Sequence, residues 1–436
     1  MKIFILDIGG CGLDYAIRMQ WAGHDVRLFY TPNKHTNVGK GLVHRVSEWE
    51  PQMKWADLII MTDLNKYEEK LEGYFAKGFP IFGTNRASAA LELDREWGQH
   101  ILEKCGLQTI PFTKFHDIDD AIRHVLKAGD DARFVSKPSG NGGTAMSYVS
   151  KSPKDMVYML ERWKKGGKLK GEFILQEFCA GIEMGVGGWF GPGGWNAVIE
   201  ENFEHKKLMP GDKGPNTGEM GTALKYVPSS NLFDETLAKC TEALAALKFV
   251  GNADLNVMIN KDGIWPMEWT MRMGWPAAMI QLSLHKSDPA EWMLDLVNGK
   301  DSLKVRYDHA IGIVVAIPDF PYSHLTGKDI EGIPLYGINV DNVQDIHLNE
   351  VMVGEAPFVV DGVIKREPIF VSAGDNLLTV VGRGNSITQA AENAYKLVDE
   401  VEIPNSPLYR IDVGKRLEKQ LPELQKLGFA EQWRYE

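Results

Sequence analysis

The chain lacks any stretch approaching the roughly 20 consecutive apolar residues that a membrane-spanning helix needs. Its opening run, "MKIFILDIGG", stops after about six apolar residues, too short for a secretory signal core, so a cytoplasmic protein is the expectation. Cysteine is scarce. Cys11, Cys105, Cys179 and Cys240 lie far apart with no CxxC spacing, which excludes a sequence-encoded zinc or dithiol site and predicts separate reduced thiols. Positive charge is outweighed: 48 Lys and Arg against 59 Asp and Glu leave a net charge of -11. That balance argues against a general nucleic-acid surface, though a local basic cleft can still hold a phosphate. Walker A motifs, internal repeats and low-complexity linkers are missing too. What remains is an ordinary globular composition, 44% hydrophobic and 25% charged. At 436 residues the chain exceeds one core and predicts about two to four domains.

"KIFILDIGGCGLDYAIRMQWAGHDVRLFY" reads as a buried strand, a glycine turn, a helix and a second strand opening at Val26, a βαβ unit. "ADLIIMTD" and "FPIFGT" add two short strands, so residues 1–105 are expected to form an open parallel α/β sheet. Gly9, Gly10 and Gly12 sit where a helix N-terminus could meet a phosphate. The acidic residue that ends a dinucleotide-binding second strand is absent from "VRLFYTPN", which disfavours a nicotinamide-dependent oxidoreductase. "SAALELDREWGQHILEKCG" predicts one amphipathic helix ending near Gly106. Antiparallel strand pairs then predict α+β regions at 106–305, with a smaller subdomain at about 120–179, and a strand-rich α+β region at 306–436.

Four features of the middle region carry chemistry. Lys137 ends a strand before a glycine-rich loop, an arrangement that can aim an ammonium at a phosphate while backbone N–H groups approach it; a surface lysine before a loop reads the same. Glu177 and Glu183 flank "FCAG" and could accept from nucleotide hydroxyls or amines, or stand solvated. "NADLNVMINKDGIWPMEWTMR" is a hairpin turning at "NKDG". Its parity puts Asn256, Glu268 and Thr270 on one face, oxygen ligands that suit Mg²⁺ (or Mn²⁺). A carboxylate between Trp265 and Trp269 is costly to bury unless it is paired or metal-bound. Finally, "EHKKLMPGDKGPNTGEMGT" sets His205, Lys206, Lys207 and Lys213 beside a loop too small and polar to pack a core.

A phosphate and magnesium site between strand pairs, in this motif order, resembles the ATP-grasp ligases, and within them the phosphoribosylamine-glycine ligases of purine synthesis. Their hallmark GPNTGGMG stands here as GPNTGEMG, Gly214 to Gly221. "DIGGCGLDYA", "FVSKPSG", "LQEFCAGIEM", "MEWTMRMGWP" and "VGRGNSITQAAENAYKLVDEV" extend the resemblance over nearly the whole chain. It implies an ATP-grasp fold between the N-terminal α/β and C-terminal regions. It also implies ATP-driven activation of a carboxylate as an acyl phosphate, which an amine attacks to give an amide, ADP and phosphate. By position, Lys137 and Lys207 would hold ATP phosphates, Gln176, Glu177 and Phe178 would border adenine, and Glu183 would bind ribose. Glu268, with Asn256 and Thr270, would hold the metal. Arg272, Lys213, Asn216 and Thr217 would act at the reacting groups. Gly9, Gly10, Gly12, Gly214, Pro215, Gly218, Glu219, Met220, Gly221 and Trp275 would face substrate. Small-molecule partners and a monomer or homodimer follow, with no membrane or nucleic-acid partner.

Departures from the family pattern NxRxGDPE fall at the substrate end. The segment reads "TMRMGWPAA", putting Thr270, Trp275 and Ala277 where asparagine, aspartate and glutamate are usual. The loop usually written AAGKG reads "GGTAM", with Ala145 for lysine, and the N-terminal turn loses an arginine and a histidine. Two lost charge-assisted hydrogen bonds at ~1.5 to 3 kcal/mol each would cost ~3 to 6 kcal/mol, roughly a hundredfold to ten-thousandfold in affinity. Beside the parent reaction, the sequence therefore leaves open a ligase joining another amino acid or carboxylate to another amine, as in nucleotide or nucleobase modification. A catalytically silent nucleotide-binding protein is the rival from another class.

Overall fold

The computed structural model describes residues 1–31, 34–64, 66–138, 147–167, 171–404 and 407–436. The "GGTAM" loop with Ala145 lies outside the described residues. The apolar run at the N-terminus becomes β1 (Lys2–Asp7), buried along almost its whole length. It pairs in parallel with β2 (Asp25–Tyr30) and β4 (Leu58–Met61), and β3 (His44–Arg45) and β5 (Ile81–Phe82) extend the sheet in the order β3-β2-β1-β4-β5. Gly10 takes a left-handed φ of 92° to open the helix Cys11–Trp21. At Gly12 a Cβ would sit 2.8 Å from Ile5 and 3.0 Å from Asp7, so this glycine serves close helix-strand packing.

The single helix expected before Gly106 is two. Arg86–Leu93 and Arg95–Lys104 break at Asp94, whose extended backbone and side chain, accepting from the Trp97 N–H, cap the second helix.

A small antiparallel sheet follows, β6 (Phe112–Phe115), β7 (Phe134–Pro138), β8 (Tyr148–Val149) and β9 (Phe173–Glu177), in the order β6-β9-β7-β8. The helices Ile118–Lys127 and Pro153–Lys165 pack with it around Phe115, Val125, Phe134, Leu160 and Phe173, a core separate from the rest of the molecule.

The remaining chain builds β10 (Ile182–Gly191), β11 (Gly194–Glu204), the hairpin β12 (Lys207–Met209) and β13 (Lys213–Asn216), then β14 (Gly221–Val227). Next come β15 (Gly251–Asn260), β16 (Gly263–Thr270), β17 (His309–Ala316) and β18 (Ile346–Leu348). A second hairpin, β19 (Val351–Val360) and β20 (Val363–Ser372), precedes β21 (Asn376–Gly384). Eight of these form one sheet, β16-β15-β10-β11-β14-β17-β21-β18. It runs without a break from the middle region into the C-terminal one through β14 and β17. Among the described residues no helix is long and apolar enough to cross a membrane. All four cysteines are free, but Cys105 and Cys240, expected apart, lie close enough for their thiols to share a hydrogen bond.

Candidate active site

One face of the eight-stranded sheet is polar because its strands alternate. On β11 that face carries Glu200, Asn202 and Glu204; on β15, Asn252, Asp254 and Asn256; on β16, Glu268 and Thr270. Cross-strand register sets Asn256 opposite Glu268 and Asp254 opposite Thr270. Between β11 and β15 runs β10, which presents Gly185 and Gly187 on this face. A Cβ at Gly185 would overlap the Asn202 amide, and one at Gly187 would lie 2.9 Å from the Asp254 carboxylate. The bare strand lets Asn202 reach across it to Asp254, N to O 2.9 Å.

At the edge of this face Lys206, the residue after β11 and the following His205, places its ammonium 2.9 Å from Glu183, 3.2 Å from Glu204 and 3.4 Å from Glu268. Burial would lower its pKa, but the three carboxylates outweigh burial and hold it well above the usual lysine value. Glu268 also accepts from Arg95 at 3.0 Å. Burial there is outweighed by Lys206, Lys137 and Arg95, so the carboxylate titrates well below its ordinary range. Across from it, at the end of β7, burial pulls the Lys137 ammonium down to about 8 against the attraction of Glu268. Two antiparallel sheets thus bring lysines and carboxylates together where their strand ends meet.

Next to this knot lies a cavity of about 240 Å³, bordered by Lys206, Glu219, Asp254, Glu268, Arg272 and Trp275 among others. Arg272 is tied to Glu92 at 3.0 Å and Asp63 at 3.4 Å. It thereby joins the cavity to the N-terminal turn, where Gly9 lies against Asp63. Glu219 is buried with one oxygen unpartnered, and burial together with Glu204 raises its pKa well above the usual carboxylate value. A larger groove of about 550 Å³ on the C-terminal region is lined by Arg306, Arg383 and Lys396, but Arg383 is already paired with Asp345 at 2.8 Å.

The structure sorts the sequence-derived candidates. Lys137, Glu183, Asn256, Glu268, Thr270, Arg272, Gly218, Glu219 and Trp275 converge. Trp275 stands over Gly218, 4.0 Å from where a Cβ there would lie. Lys207 belongs to β12, paired with Asn216, and Lys206 occupies the position among the carboxylates; the chain bends out of β11 at His205, which decides which lysine points inward. Lys213, Gly214 and Asn216 are exposed on that small hairpin with Pro215 half-buried, whereas Met220 and Gly221 are buried as the chain enters β14. Thr217 donates to the Lys206 carbonyl at 3.0 Å. Gln176 is buried and donates to the Ile110 carbonyl, Glu177 is exposed, and Phe178 is covered by the Arg133 guanidinium 3.5 Å from its ring centre. Sequence reasoning missed Arg95, Glu92, Asp63, Glu200, Glu204 and Asp254. The last of these was marked by strict alternation in "NADLNV".

Residues 93–278 match the family model described as phosphoribosylglycinamide synthetase, ATP-grasp (A) domain. Those residues form an ATP-grasp domain. Relatives run nearly its full length. It is 23% identical to the phosphoribosylamine-glycine ligase of Clostridium acetobutylicum, covering 95% of this chain and 100% of that one. It is 25% identical to the enzyme of the same name from Vibrio vulnificus, covering 79% and 80%. Among solved structures, phosphoribosylamine-glycine ligase from Thermotoga maritima superposes with a TM-score of 0.69 at 20% identity, over 95% of this chain and 100% of that one. Biotin carboxylase from Campylobacter jejuni, at 13% identity and 93% and 92% coverage, gives 0.61. This likeness fixes the ATP-grasp fold, with its parallel N-terminal sheet and strand-rich C-terminal region.

Proposed function

We propose that this ATP-grasp ligase uses ATP to activate an amino-acid carboxylate as an acyl phosphate and transfers the acyl group to an amine, releasing ADP and phosphate. Phosphoribosylamine with glycine, a step of purine synthesis, is the leading substrate pair. The observation that carries this reading is the knot of Lys137, Lys206, Arg95, Glu183, Glu204 and Glu268 at the meeting of the two sheets. Phosphoryl transfer needs positioning and charge neutralisation more than a covalent nucleophile, and these groups supply both. Lys137 and Lys206 would engage ATP phosphates, and Glu183 the ribose. Gln176, Glu177 and Phe178, at the crossing from the small sheet to the large one, would border adenine.

The residues present fit a divalent cation. Glu268 and Asn256 face each other across strands, and the Asn256 Oδ1 is buried without a partner among the described residues. Mg²⁺ held by these two and Thr270 would neutralise phosphate charge as the acyl phosphate forms. Arg272 would hold the substrate carboxylate, and the loop from Gly214 to Gly221 would cover it against water. The amine would lie toward Gly9 and Gly10. A ligase for another amino acid is the second reading, favoured by Trp275 and Ala277 in the cavity wall where the family pattern has acids.

Mass spectrometry of the protein with Mg-ATP, freshly generated phosphoribosylamine and glycine, following ADP in parallel, tests both. Glycinamide ribonucleotide in step with ADP supports the parent reaction, and ADP release only with other amino acids supports the second. No ADP under any condition would return the chain to nucleotide binding alone.

A further inference from the structure

The acidic interior of the cavity exceeds what glycine requires. Glu200 and Asp254 are buried on the polar face, each taking one hydrogen bond from the Asn202 amide, and the Gln281 amide donates to Glu200. Glu219 enters from the loop above, and Glu204 closes the side toward Lys206. No cation faces Glu200 or Asp254 from within the sheet at ion-pair distance among the described residues.

The unpartnered atoms point the same way. Asn202 Oδ1, Asn256 Oδ1, Glu219 Oε1 and Gln281 Oε1 are all buried and all lack a hydrogen-bond partner among the described residues. Each of the first three residues is at most 4% exposed and lines the cavity. The amide oxygens of Asn202, Asn256 and Gln281 can only accept, as does an ionised Glu219 carboxylate, and the three amide nitrogens already donate to carboxylates. A ligand that satisfies them must bring donors, and one that suits the carboxylates must bring positive charge. The volume of about 240 Å³ lies below that of most ligand pockets and admits only a small molecule. Arg272, a carboxylate-binding group, borders the cavity, while Glu200 and Asp254 lie on the strands either side of β10.

We propose that the amino acid activated by this enzyme carries a second cationic group: a short diamino acid whose carboxylate meets Arg272 and whose terminal ammonium lies among Glu200, Glu219 and Asp254. The proposal rests on the second reading above, a ligase for an amino acid other than glycine, and names the substrate class of that same site. The chemistry is unchanged. A carboxylate oxygen takes the γ-phosphoryl group from ATP, the neutral amine of the second substrate attacks the acyl carbon, the C–N bond forms, and the C–O bond to phosphate breaks with its electron pair leaving on phosphate. The attacking nitrogen gives up one proton to the medium.

The test compares 2,4-diaminobutyrate with 2-aminobutyrate, which lacks only the terminal amino group. Titration calorimetry with Mg²⁺ and a non-hydrolysable ATP analogue present should show the diamino acid binding at least about tenfold tighter, the lower bound for one charge-assisted hydrogen bond to a buried acceptor. Asp254→Asn and Glu219→Gln should each remove most of that preference while nucleotide affinity holds. Equal binding of the two amino acids, or a preference that survives both substitutions, overturns the proposal. So does saturable binding of Mg²⁺ alone that Asp254→Asn abolishes, since the acids would then hold a metal. ADP release is read separately: its absence with every amino acid refutes the ligase reading, while calorimetry still decides what the cavity prefers.

Discussion

Glu268 is the side chain on which the local charge balance turns, since Lys137, Lys206 and Arg95 all lean on it. Glu268→Gln keeps the shape and removes the charge. ADP release should fall by at least about a hundredfold, and because three cations then crowd a partly buried site, unfolding free energy should drop by about 1 to 3 kcal/mol. Steady-state ADP production and urea titration read the two effects. Trp275 makes the opposite kind of prediction. Trp275→Asp puts an acid in the wall facing Gly218, and kcat/KM for glycine should rise about tenfold or more; no change would mean the indole does not shape the acceptor end. Residues of this kind were legible in part. Glu268 and Asn256 share a face because the register set at the turn shifts by one residue between Val257 and Asn256; counted from the turn alone, Asn256 would lie opposite Met267. Lys206 could not be told from Lys207, because the bend at His205 is set by long-range contacts: its N–H donates to Gly221 and its ring accepts from Gly414.

At the scale of elements, local signals worked where they were self-contained. The first βαβ unit and the "NKDG" hairpin follow from periodicity and turn chemistry within some 30 residues. The break at Asp94 was hidden because the apolar spacing continues through it, while an aspartate able to cap a helix looks like any polar position until the chain turns. The sharing of one sheet by β14 and β17 was equally hidden, since their pairing joins residues nearly ninety positions apart. Packing of the helix Ile387–Glu400 on β21 rests on Gly382, where a Cβ would overlap the backbone of Ala390 and Ala394. Gly382→Ala must push the helix away, so it should destabilise by about 1 to 3 kcal/mol or more. Thermal unfolding should show a lowered Tm while nucleotide affinity at low temperature stays intact.

Across the whole molecule, the N-terminal helix and the C-terminal strands are bound by Asp14. Arg18 approaches its carboxylate at 2.6 Å and His347 at 2.7 Å, and Ser283 lies 2.7 Å from the far nitrogen of that imidazole. Burial alone would raise the Asp14 pKa; Arg18 and His347 outweigh it and hold it at about 2. Burial pushes the His347 pKa down and so favours the neutral ring, in which Nδ1–H donates to Asp14 and Nε2 accepts from Ser283. A carboxyl group that titrates near 2 when folded and near 3.9 when unfolded contributes about 2 to 3 kcal/mol above pH 4. That contribution is lost as pH falls through the folded value. Asp14→Asn should therefore be less stable than the parent protein by about this amount at pH 6, and the gap should narrow between pH 4 and pH 2 in parallel urea titrations.

The unbroken sheet makes a further claim on the molecule as a whole. A chain ended at residue 305 would leave β14 with a bare edge along Gly221–Lys225, where β17 normally pairs, and should aggregate in sedimentation or light-scattering measurements. The same edge exists for a time in every copy as it is made. Between Val227 and Ala316 the ribosome must add 89 residues, which at about 5 to 20 residues per second takes roughly 4 to 18 seconds. During synthesis the vulnerable state of this protein is thus a timed one, opened when β14 emerges and closed only when β17 follows it.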